Sequence, residues 1–116
     1  MEILKDDETG NVTNSKAHAR SNPIDAASIV TVWLFGCSKK NNNKFRVEVR
    51  CQDGKHLVYS GFTFGMAGVG TLGLEWLFNL YNIPIGIGVL EGLIKEYTYK
   101  IEHVYGKQWI LEFTGN

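Results

Sequence analysis

The sequence predicts a mainly β fold, a small antiparallel β-barrel (or sandwich) with one or two short helices in a crossover. Three observations predict it. Several segments alternate apolar and polar residues with period two, the mark of a half-buried strand. The links between them are of hairpin length, with Asp53-Gly54 and Tyr105-Gly106-Lys107 as turn signals. Small antiparallel all-β domains also hide their edges by closing, which favours a barrel over an open sheet.

The first 25 residues are polar and nearly free of large apolar side chains. They read as a disordered or loosely attached N-terminal tail, leaving 26–116 as a single barrel domain. The tail has no apolar run of the kind a secretory signal carries, so this chain reads as cytoplasmic or exported by a non-classical route. Twelve basic residues balance twelve acidic ones without a basic stripe. That excludes the electrostatic footprint of a nucleic-acid partner.

The elements follow in order. Residues 28–35 hold a run of Ile, Val, Thr, Trp and Phe that is apolar on both faces, as a buried strand requires. A polar loop with Asn41, Asn42 and Asn43 ends it. Phe45, Val47, Val49 and Cys51 then alternate with Arg46, Glu48 and Arg50, giving a strand with one apolar and one charged face. After Asp53-Gly54 the return strand begins at Leu57. Val58, Phe62, Phe64 and Met66 lie on one side and Gly61, Gly65 and Ala67 on the other, so the strand is expected to run on to Met66 and bulge near Gly68. Leu74, Leu77, Phe78 and Tyr81 recur at helical spacing and predict a short amphipathic helix. Pro84 makes its neighbourhood extended. Residues 89–96 predict one or two helical turns weakened by Gly92. Tyr97, Tyr99, Ile101 and His103, followed by Trp109, Leu111 and Phe113, form the inner faces of a C-terminal hairpin.

Candidate chemistry is sparse. Gly68–Gly73 matches G-x-G-x-x-G, but a dinucleotide turn belongs to a parallel βαβ unit, and its neighbours here are hairpins. A small nucleotide binder using Gly68 to Gly73 is therefore only an alternative reading. Cys37 and Cys51 fall at opposite ends of one hairpin, too far apart for a bond that needs Cα atoms within about 7 Å, and read as two unpaired buried thiols. His18, His56 and His103 lack metal-ligand spacing. No catalytic, cofactor-binding or metal residue is predicted, and the chain reads as a non-enzyme. From Leu57 to Ile94 there is no basic residue and only Glu75 and Glu91 are acidic. Within that segment, Leu74, Trp76, Leu77, Phe78, Tyr81, Ile83 and Ile85 form the candidate membrane or partner surface.

The pieces "DGKHLVYSGFTFGMAGVGTLG", "LEGLIKEYT" and "YKIEHVYGKQWILEFTG", in that order and spacing, resemble the virulence-associated Vap-type proteins over about residues 52–114. These are secreted small β-barrels of intracellular bacterial pathogens. Their pattern is a "GK" turn, a Gly-rich apolar strand, a short helix and a C-terminal hairpin. This chain departs from it in lacking a signal peptide and in its longer crossover at 76–85. The resemblance implies a non-enzymatic effector acting on host membranes or host proteins, with no catalytic residue to carry over. The alternative is an intracellular immunity-type inhibitor that blocks a protein partner. Both readings call for a protein, lipid or membrane partner and no cofactor, and both leave a homodimer open.

Overall fold

The computed structural model describes residues 2–104 and 108–115. Six strands, β1 (Glu2–Lys5), β2 (Ile29–Phe35), β3 (Arg46–Cys51), β4 (Lys55–Tyr59), β5 (Thr98–Val104) and β6 (Gln108–Gly115), form one sheet in the order β1-β4-β3-β2-β5-β6. The helices are α1 (Val12–Ser21), α2 (Val69–Leu80) and α3 (Ile87–Gly92). Among the described residues strands thus outnumber helices, in a mixed α/β arrangement. The β1–β4 pairing is parallel and the other pairings are antiparallel.

Period-two alternation decides the two faces of the sheet. Val32 pairs with Val49 and Ile101, Leu34 with Val47 and Tyr99, and Val49 with Leu57. All are buried in one core with Leu74, Leu77 and Phe78 of α2 and Leu90 of α3. α1 joins the same side, where His18 meets the Tyr59 ring edge-on at 5.5 Å. The opposite face carries Trp33, Phe35, Arg46, Glu48, Arg50 and Lys100, the residues that alternate with the core set.

The predicted barrel is not formed; the sheet is open, with β1 and β6 as its edges. The glycine-rich segment is the cause. β4 ends at Tyr59, and the chain then leaves the sheet and crosses to the helical layer. Phe62 and Phe64 are fully buried, as their shared parity suggests, but in irregular backbone. In place of a bulge near Gly68, α2 begins at Val69. No strand remains there to close a barrel. The predicted Tyr105-Gly106-Lys107 turn lies outside the described residues.

The predicted loose tail is likewise replaced by ordered structure, β1 and α1. β1 adds beside β4, with the Asp6 amide donating to the Val58 carbonyl at 3.1 Å. Asn11 caps α1 by accepting from the Thr13 and Asn14 amides, which satisfies donors a helix start leaves unpaired. The Asp6 carboxylate ties the segment down. It accepts from Ser15 Oγ at 2.6 Å, from the Ser60 amide at 2.7 Å and from Ser60 Oγ at 2.9 Å. Composition misses this because the inward residues of α1, Ser15 and Ala19, are small.

A hairpin centred on Asn41 would set Thr31 opposite Cys51; the β2–β3 pairing is shifted from this by one residue, and Thr31 pairs with Arg50. Phe35 pairs with Arg46, and Cys51 pairs with Ile29 across an irregularity between Ile29 and Thr31. A short 3-10 turn at Lys39–Asn41, followed by Asn42 and Asn43 with positive φ, sets the offset. Both cysteines are free; Cys51 is buried and Cys37 half-buried.

Candidate functional site

α2 is apolar on both sides. Its polar side chains are Thr71, which is buried, Glu75 and Asn79. At about 100° per residue, two rows form. Leu74, Leu77 and Phe78 point into the core and are fully buried. Val69, Leu72, Trp76 and Leu80 make up the other row, and Val69, Leu72 and Leu80 are 72%, 54% and 47% exposed. Met66, just before the helix, is also exposed.

Neighbouring elements frame this outer row with polar groups. Along one edge, Glu75 Oε2 accepts from the Ile87 amide at 2.8 Å and so fixes the start of α3. Along the other, α1 packs so closely that a Cβ on Gly73 would lie 3.0 Å from the Phe62 ring and closer still to Val12. From α1, Lys16 Nζ and the Arg20 guanidinium stand 5.5 and 5.0 Å from the centre of the Trp76 ring. Past the end of the row, a cleft of about 230 Å³ opens between the C-terminal ends of α1 and α2, lined by Ala19, Arg20, Pro23, Ile24, Leu80 and Tyr81. A row of aliphatic side chains ending in an apolar cleft, with a charged rim, can receive apolar side chains of a partner.

This geometry corrects the predicted membrane or partner surface. Leu74, Leu77, Phe78, Tyr81 and Ile83 are buried, and Trp76 and Ile85 are half-buried. The helical periodicity used to find them marked the core face. The Tyr81 hydroxyl is spent inside, 2.9 Å from that of Tyr59. Burial raises the pKa of both phenols. The exposed row was legible as Val69, Leu72, Trp76 and Leu80, a second apolar set at helical spacing, and was missed because one apolar face was taken to be the whole signal.

The uncovered face of the sheet holds a second cluster. Glu48 is nearly buried there, accepting from Arg46 Nε at 2.6 Å, Arg50 Nη2 at 3.1 Å and His56 Nε2 at 2.7 Å. The Arg46 guanidinium lies 4.1 Å from the Phe35 ring centre, and that of Arg50 lies 5.4 Å from Trp33. Burial alone would raise the Glu48 pKa, but the hydrogen bonds from Arg50, His56 and Arg46 outweigh it and hold the carboxyl below its usual range. The carboxylate finds its partners within the cluster, which therefore reads as a clasp across β3 and β4. Because the folded carboxyl titrates below the unfolded one, its stabilisation is complete above the unfolded value, about 4.3. It is lost as pH falls through the folded value. Glu48→Gln is expected to cost about 1–2 kcal/mol at neutral pH, with both arginines half exposed. It should also flatten the acid limb of the stability curve. Urea titrations at neutral and acid pH measure both, and an acid limb as steep in the variant as in the wild type would remove Glu48 as its source.

The other predicted features resolve locally. Gly68–Gly73 forms the first turns of α2, nine residues beyond the end of β4, without the adjoining strand a dinucleotide turn needs. A Cβ on Gly70 would crowd Thr63, so close packing accounts for that glycine. His103 stacks on Trp109 at 4.4 Å. Among the described residues no group of three or more His, Cys, Asp or Glu is placed to hold a metal ion, and no helix is long and apolar enough to cross a membrane. No family model, curated protein or solved structure matches the chain.

Proposed function

We propose that the chain is a non-enzymatic binding module that docks a protein partner on the outer face of α2 and in the adjoining cleft. One observation carries this reading: a helix that spends one apolar face on the core leaves a second apolar row in water. A helix apolar on two faces is ordinarily covered on both, and an exposed apolar patch marks an interaction surface. A protein suits the site better than a lipid surface. Membrane-binding helix faces rely on cations free to reach headgroups. Here Lys16 and Arg20 are engaged with Trp76, and the acidic Glu75 borders the other edge. Mixed charges around an apolar centre are the pattern of a protein interface.

The resemblance to virulence-associated barrels covers the segment that holds α2, but its barrel is absent, and the binding role stands here on the α2 face alone.

The test compares wild type with the double variant Leu72→Glu, Leu80→Glu as immobilised bait in extracts of its host cells. Both positions are solvent-facing, so folding stability is expected to stay within about 0.5 kcal/mol per site. Partner affinity should fall about thirtyfold or more, as for interface anchors. Identical sets of retained proteins would sink the proposal. Flotation of wild type, but not of the variant, with anionic vesicles would reassign the face to a membrane.

A further inference from the structure

The two edges of the sheet are protected very differently. β1 is four residues long and carries Glu2 and Lys5, the short, charged form of edge that resists pairing. β6 is twice as long, with Ile110 and Phe113 44% and 54% exposed. Its one charged side chain, Glu112, lies 3.5 Å from Lys100 Nζ on β5. Phe113 is held on one side by Tyr97, with ring centres 4.8 Å apart, and open on the other. Among the described residues the sheet order has no strand beyond β6.

We propose that a second copy of the chain pairs with β6, antiparallel, extending the sheet across a two-fold axis at Leu111. The choice of a second copy follows from the register. Trp109, Leu111 and Phe113 share the helix side of the sheet, opposite His103, Ile101 and Tyr99. A continuous sheet must match helix side to helix side, which limits the axis to particular residues. An axis at Leu111 sets Trp109 against the partner's Phe113, Leu111 against the partner's Leu111, and Ile110 against the partner's Glu112. An axis at Glu112 would oppose two carboxylates, which is repulsive. An axis at Ile110 would end the pairing within β6 at Glu112 against the partner's Gln108 and carry Phe113 beyond it. The register at Leu111 therefore gives Trp109, Ile110, Leu111 and Phe113 each a facing residue and opposes no like charges, as an isologous interface requires. A single added strand pair is small, below about 1,200 Å² of buried surface, so the dimer is expected to be concentration-dependent, with micromolar affinity.

Sedimentation equilibrium of the full chain over a dilution series tests this. The expected result is a shift from 13.0 kDa to twice that mass. Phe113→Asp should weaken association about tenfold or more, while the α2 variant Leu72→Glu leaves it unchanged. Leu111→Cys should give a disulfide-linked dimer on mild oxidation, since the axis sets that position against itself, and Phe113→Cys should not. A monomer at every concentration overturns the proposal. So does a dimer sensitive to Leu72→Glu and indifferent to Phe113→Asp, which would place self-association on the α2 face. Preferential crosslinking through Phe113→Cys would refute the register.

Discussion

Replacing Phe78 with alanine should lower the unfolding free energy by about 3–5 kcal/mol, a large part of the 5–15 kcal/mol that roughly holds a domain of this kind together. Phe78 is fully buried in the single core, on the row of α2 that faces the sheet. Its carbonyl accepts from the Ile83 amide at 2.8 Å, so the helix turns into the following segment at this residue. Truncation would leave a cavity between α2 and the sheet, and the surrounding chain relaxes into such cavities only in part. Leu72→Ala, six positions earlier on the same helix, removes a side chain that is already half in water and should cost no more than about 0.5 kcal/mol. The pair of variants separates the two faces of α2 in one chemical-denaturation experiment. If Leu72→Ala proves as damaging as Phe78→Ala, the outer row is covered in the folded chain and does not form a docking surface.

That contrast also explains which parts of the structure were legible in the sequence. β3, β4 and the β5–β6 pair follow from period two; β2 follows from its apolar run, though only one of its faces is covered; and Asp53-Gly54 turns β3 into β4 with Gly54 at φ 87°. α2 follows from Leu74, Leu77 and Phe78 at helical spacing. Its orientation does not, because Val69, Leu72, Trp76 and Leu80 are as apolar as the core row, and without a polar face periodicity cannot tell inside from outside. Glu48 was legible as a member of the charged face of β3. Its burial was not, because that depends on Arg46, Arg50 and His56 closing over it. The barrel expectation failed on one segment. Phe62 and Phe64 keep strand parity while the glycines around them serve contacts with other elements, so alternation continued where the strand had stopped. The N-terminal elements left the faintest trace, since Asp6, Ser15 and Ser60 hold them by hydrogen bonds that no hydrophobic pattern records.

Gly61→Ala tests those N-terminal elements, and about 2–3 kcal/mol of destabilisation is expected, at the upper end for added bulk in a packed site. A Cβ at Gly61 would run into the Asn11 carbonyl and lie 2.7 Å from Ser15 Oγ. The obstructing atoms belong to the backbone that caps α1 and to a buried hydroxyl. That hydroxyl accepts from the Gly61 amide at 2.8 Å and donates to Asp6 at 2.6 Å. Neither can move without lifting the start of α1. Lifting α1 would also withdraw Lys16 and Arg20 from Trp76, so the rim of the α2 face depends on a glycine in the segment once expected to be a barrel strand. Gly88→Ala in α3 is the control. Nothing lies within 4 Å of its missing Cβ, and alanine favours helix there by up to about 1 kcal/mol. Thermal unfolding should therefore separate the two variants by on the order of 10 °C, and amide exchange in Gly61→Ala should rise first in α1. Equal melting temperatures would mean that α1 is not seated against Gly61, returning the first 25 residues to the loosely attached tail their composition predicts.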